Sequence, residues 1–163
     1  MSTSKKNADV DAILKRHAHH YHTDMGQMPE ALVQLAQYAP EAFDAYSGMR
    51  TALLKGEDEG AALPLKYKHL ILTVLDCIRD EPIGVINHTR ASLKAGLSIE
   101  ELVEGILLGI IVYGMPAWGK VGRKAVDYAV QFEAGQAKAA KKTVKAPKAA
   151  AKPAKKVKKV VKA

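Results

Sequence analysis

The chain has 163 residues, 48% hydrophobic but only 6% aromatic, enough for one domain with the aliphatic core that packed helices make. Its single cysteine, Cys77, excludes an intrachain disulfide, a CxxC redox pair and a multi-cysteine zinc site. The net charge of +8 is unevenly placed: residues 137–163 hold 11 of the 25 Lys and Arg and none of the 17 acids, which leaves residues 1–136 with a net of −3.

Residues 1–28 read as an N-terminal segment. After a frayed start, a helix is predicted from Asp9 to His22, with Val10, Ile13 and Leu14 on one face. It carries His17, His19, His20 and His22, with Asp24 just beyond. Imidazoles spaced like these can chelate zinc, nickel or copper. The helix is expected to be exposed and no glutamate or cysteine stands close by, so the cluster is read as adventitious and no metal is assigned.

Residues 29–136 read as the helical domain. Pro29 and Pro40 each suit the first turn of a helix. The first helix runs through Leu32 and Leu35; the second runs through Phe43, Tyr46, Met49 and Leu53 to about Gly56. A loop follows. Pro64 opens a helix to about Arg79, with Leu70, Ile71, Val74, Leu75 and Ile78 apolar. Pro82 opens the next, which ends at Gly96. Ser98 and Glu101 form a capping box for the helix after it. That helix, from Leu102 to Val112, is apolar on nearly all sides and is expected to be buried, centrally or between subunits. The last helix runs from Ala117 to about Ala134. No strand pattern or internal repeat is visible, and the fold class is all-α.

Residues 137–163 read as a disordered Lys/Ala/Pro-rich tail, because dense like charge leaves nothing to offset the entropy of ordering. Lys141, Lys142, Lys155, Lys156, Lys158 and Lys159 are its candidate contacts to nucleic acid or another polyanion; a solubilising extension is the alternative. The N-terminus lacks the apolar stretch of a signal peptide, and the longest apolar run, Ile106 to Tyr113, is too short to span a bilayer. A cytoplasmic protein without membrane contact is expected.

Between Leu63 and Tyr128 four stretches occur in order: LPLKYKHLILTVL, PIGVINHTRASLKAGLS, IEELVEGILLGIIVYGMPA and WGKVGRKAVDYA. Together they resemble the carboxymuconolactone decarboxylase family, which also contains the alkylhydroperoxidase-type proteins. The resemblance implies an alkylhydroperoxidase-like helical bundle. The peroxidase branch uses a CxxC pair, a histidine and a glutamate. Its cysteines would fall on Glu81 and Gly84 and its glutamate on His69, so only the histidine, His88, is kept. An alkylhydroperoxidase-type antioxidant activity is therefore disfavoured. The cysteine-free decarboxylase branch has the Pro82 to His88 spacing, although it usually keeps a glutamate at the place of His69 and an acidic residue at that of Gly84.

The resemblance implies a lyase that decarboxylates a small carboxylated lactone or a related intermediate of aromatic degradation, without a cofactor. Electrons left by CO2 can move into the conjugated carbonyl, while the protein binds carboxylates and delivers a proton to carbon. His88 is the candidate general acid, with His69 and Glu81 as its catalytic neighbours. Arg90, Lys66 and Lys68 are the candidate carboxylate-binding residues. A homo-oligomer, trimer or hexamer, is expected from the apolar helix and the resemblance. A non-catalytic oligomeric binding or scaffold protein of the same fold is the alternative.

Overall fold

In a computed structural model the protein is all-helical. The structure describes residues 3–145, with side chains over 9–139. The helices are α1 (Thr3–Met25), α2 (Glu30–Tyr38), α3 (Pro40–Leu53), α4 (Leu65–Arg79), α5 (Pro82–Lys94), α6 (Ile99–Tyr113) and α7 (Arg123–Lys145). A 3-10 turn, Glu57–Glu59, lies between α3 and α4, and a π-helical stretch, Ala117–Gly122, leads into α7.

The boundaries follow local chemistry. Pro40 and Pro82 stand in the first turns of α3 and α5, where a missing N–H costs nothing, and Pro64 caps α4. Gly96 ends α5 at φ +89°, and Leu97 N–H reaches back to Ser92 O at 3.0 Å. Ser98 opens α6 with a reciprocal capping box: Glu101 N–H donates to Ser98 Oγ at 3.2 Å, and Ser98 N–H to Glu101 Oε2 at 2.8 Å.

Two apolar cores form. Val10, Tyr21, Ala36 and Phe43 gather α1, α2 and α3. Cys77, Val85, Leu93, Leu97, Leu102, Ile106, Ala117, Val121, Ala125 and Ala129 gather α4 to α7. Each fully buried large side chain, such as Phe43 or Ile106, stabilises by about 1.5–3 kcal/mol. Gly105 and Gly109 let α6 lie close on α4, since a Cβ there would press on Leu70 and Val74.

Two expectations change, and of the two alternatives for α6 central burial falls away. First, α1 is not an exposed helix: it starts at Thr3, ends at Met25, and buries Tyr21 completely with His17 and Asp24 nearly so. Its apolar face packs on α2 and α3, which draws the histidine face inward. Second, α7 runs past 136 to Lys145. As for α6, it buries only Leu102, Ile106 and Gly109; Leu108, Ile111 and Val112 are 60%, 80% and 86% exposed on the single chain. Lys141 and Lys142 lie on the α7 backbone, while Lys155, Lys156, Lys158 and Lys159 lie outside the described residues. Among the described residues no helix is long and apolar enough to cross a membrane.

Candidate active site at the seam between the two cores

α4 carries His69 and Thr73 on the face that meets α5, and α5 carries His88 and Thr89 on the face that meets α4. All four are buried. The two imidazoles lie nearly parallel, with centroids 5.3 Å apart, and Nδ1 of one faces Nδ1 of the other at 3.1 Å. One proton lies between these two nitrogens, so one ring donates and the other accepts.

Burial pushes both histidines below their ordinary value, His69 to about 4 and His88 to about 3, and the nearby Arg50 guanidinium lowers them further. At neutral pH both are uncharged. Each then presents one N–H and one lone pair, and relays a proton by accepting at one nitrogen while donating from the other.

α1 supplies the next groups. Asp24 Oδ2 lies 3.9 Å from His69 Nε2 and 3.3 Å from His20 Nδ1. Burial raises the Asp24 carboxyl above its ordinary range, and His20 and Arg50 oppose that rise. His20 is lowered, chiefly by burial. The end of α1 is held by two cations from α5: Arg90 donates to Met25 O at 2.6 Å and Lys94 to Thr23 O at 3.1 Å, where the helix dipole is negative.

Arg50, in the last turn of α3, stands over the Tyr21 ring at 5.8 Å. Its Nε and Nη2 are buried and have no hydrogen-bond partner. Arg50 also lines a cleft of about 650 Å³ whose walls include Tyr46, Met49, Leu53, Leu63 and Ile71. Neither histidine lines that cleft; Arg50 lines it, and its charge lowers both histidines. An apolar cleft with an unpaired guanidinium suits an organic anion.

Of the residues singled out from the sequence, the structure brings His69 and His88 together and leaves the others elsewhere. Glu81 caps α5, accepting from Ile83 N–H at 3.3 Å, and is exposed; it sits about 10 Å along the helix from His88. Arg90 grips α1 and Tyr128 Oη. Lys66 pairs with Glu101 at 2.7 Å. Lys68 lines the cleft, but its Nζ caps α3 through Leu53 O at 2.7 Å and Lys55 O at 2.9 Å. Cys77 is buried, and burial pushes its thiol up to about 11, far from a reactive thiolate.

Gly84 has a steric reason. A Cβ there would collide with the Asp76 carboxylate, which reaches in from α4. The space beside Gly84 is thus taken by the Asp76 carboxyl, itself raised by burial and by Glu81. Sequence reasoning missed Arg50 and Asp76, and met Asp24 only beside the histidine cluster of α1. The one available signal was the four-residue spacing of His20 and Asp24 on either side of the core residue Tyr21.

No curated protein matches the chain. A crystal structure of a candidate carboxymuconolactone decarboxylase from Burkholderia xenovorans LB400 is similar to it, with 72% identity over 80% of this chain and 98% of that one, at a TM-score of 0.76. The model of the carboxymuconolactone decarboxylase family matches residues 40–127, which include Arg50, His69, Asp76 and His88 but not α1. The chain therefore belongs to the carboxymuconolactone decarboxylase family.

Proposed function

We propose that this protein is a cofactor-independent carboxy-lyase that removes CO2 from a small carboxylated lactone or a related aromatic-degradation acid. The observation that carries the reading is Arg50, which lines an apolar cleft, has buried Nε and Nη2 without hydrogen-bond partners, and whose charge bears on a pair of neutral histidines. The guanidinium holds a substrate carboxylate in two-pronged fashion. The apolar walls favour departure of neutral CO2 over a solvated carboxylate. The bonding electrons remain on the ring and pass into the conjugated carbonyl, and a proton then goes to carbon. His88 supplies it from a ring N–H, as a neutral imidazole.

The exposed apolar face of α6 supports self-assembly. Leu108, Ile111 and Val112 of α6 are large apolar side chains left exposed on the single chain, and apolar surface of this kind favours association. The test of function is CO2 release from a panel of carboxylated lactones by wild type, His88→Ala and Arg50→Met, with a peroxide control. Release by wild type alone supports the reading, and equal rates in wild type and His88→Ala overturn it.

A further inference from the structure

α1 lies outside the segment that carries the family match, yet it places a carboxylate on the outer side of the histidine pair. Asp24 Oδ2 and His69 Nε2 face each other at 3.9 Å, both buried and neither with a hydrogen-bond partner. An approach of about 1 Å closes this gap to a hydrogen bond. Behind it the His69 and His88 Nδ1 atoms are already 3.1 Å apart. The three groups make a line from α1 to the ring of His88.

We propose that Asp24 is the proton reservoir of this site, loaded and emptied through His69 and His88. When Asp24 is protonated, its O–H donates to His69 Nε2. His69 then carries its proton on Nδ1 and donates to His88 Nδ1, and His88 bears N–H at Nε2. When Asp24 is ionised, every bond in the line reverses: His69 Nε2–H points at the carboxylate, His88 Nδ1–H donates to His69, and His88 Nε2 is a lone pair. Neither imidazole is charged in either state, as their burial requires.

Resting on the lyase reading for its final acceptor, the step balances as follows. The C–C bond to the leaving carboxylate breaks, CO2 departs, and the electron pair stays on the substrate. His88 Nε2–H gives its proton to the substrate carbon. His69 Nδ1–H passes to His88 Nδ1, and Asp24 O–H passes to His69 Nε2. One proton has moved from Asp24 to carbon, and both rings have exchanged tautomers. After product leaves, water protonates His88 Nε2 and the same moves run backwards, reloading Asp24. No ring has to turn over.

The groups that bear on Asp24 are His19 and His20 from α1, Arg50 from α3, His69 from α4 and Lys94 from α5. Arg50 and Lys94 pull it toward the carboxylate and burial pushes it back, the balance a reservoir needs. His20 Nδ1 is the competing partner at 3.3 Å, so the test includes its removal.

The experiment follows ring tautomers by long-range 1H–15N spectra of full-length protein, with the Asp24 carboxyl followed by 13C, across the pH range in which the fold holds. In wild type and in His20→Gln, His69 and His88 are expected to exchange tautomers together, at the midpoint of Asp24. In Asp24→Asn both rings stay in one tautomer, and CO2 release falls by about 100-fold with KM unchanged. Fixed tautomers in wild type overturn the proposal, as does an exchange that survives Asp24→Asn or vanishes in His20→Gln. Should Asp24→Asn fail to fold, the other two proteins still decide. A tautomer exchange without CO2 release from any lactone counts against the lyase reading and not against the reservoir.

Discussion

Arg50→Met has opposite consequences for stability and for binding, and both can be sized. Two buried guanidinium N–H groups have no partner, and each such group costs about 1–3 kcal/mol. Methionine follows much of the same path without those donors. The substitution loses the contact with the Tyr21 ring at 5.8 Å, worth about 1 kcal/mol. It also removes the countercharge of Asp24 and Asp76, both of which become easier to protonate. Two such groups less the ring contact leave a stabilisation of about 1–5 kcal/mol, which the lost countercharge reduces. For a chain of this size Tm rises by about 2–4 °C for each kcal/mol. Binding moves the other way. A charged hydrogen bond to a carboxylate contributes about 1.5–3 kcal/mol, so KM for a carboxylated lactone rises by about 10-fold to 150-fold. Thermal unfolding of the ligand-free protein and steady-state CO2 release measure the two effects. A variant that is less stable than wild type, or that keeps the wild-type KM, refutes the account of Arg50 as an anion receptor held ready at a cost in stability.

Acid weakens the fold through its two buried histidines. Their folded values, about 4 for His69 and about 3 for His88, lie below the ordinary 6.5. Above about pH 6.5 neither state binds the extra protons; below it the unfolded chain takes up protons that the fold refuses. Stability therefore falls by up to about 1.4 kcal/mol per pH unit for each histidine, until about pH 4 for His69 and about pH 3 for His88. Asp24 and Asp76, shifted upward, act in the opposite sense, so urea unfolding at several pH values is compared with His69→Gln and His88→Gln, each of which flattens the acid slope. Gly84→Ala drives a Cβ into the Asp76 carboxylate and costs about 1–3 kcal/mol; pairing it with Asp76→Ala restores most of that loss, and additive effects in the double variant would remove the steric explanation. Under the self-assembly proposed above, wild type is larger than a monomer by light scattering and Val112→Glu on the exposed face of α6 is smaller than wild type; an unchanged mass in the variant, or a monomeric wild type, refutes that role for the face.

The helix plan was legible in the sequence because its punctuation is covalent or immediately local. Pro40, Pro64 and Pro82, Gly96, and the pair Ser98 with Glu101 act within one turn of where they stand, so their effects need no knowledge of the fold. His88 was legible from the family-like spacing around it. Asp24 and Arg50 were not, for a physical reason. An arginine in the last turn of a helix is also what the helix dipole favours at an exposed end, and an aspartate after a run of histidines looks solvated. Only the packing of α1 against α3 and α5 turns these surface-like patterns inward. The exposed side of α6 left two alternatives open, central burial and a subunit contact: apolar residues all round a helix specify that it is to be covered, without saying by what.

The division into two apolar cores with a polar layer between them bears on how the molecule breathes. Contacts across that layer are hydrogen bonds and ion pairs that water can replace, whereas contacts inside each core are not. The cheapest large excursion is therefore a parting of α1 from α5, with Arg90 and Lys94 releasing the carbonyls of Met25 and Thr23. In hydrogen exchange the amides at the end of α1 will trade with solvent well before those of α6. Such an opening would wet His69 and Asp24 while the four-helix half stays intact, a hydration route to the histidine pair that does not pass through the cleft.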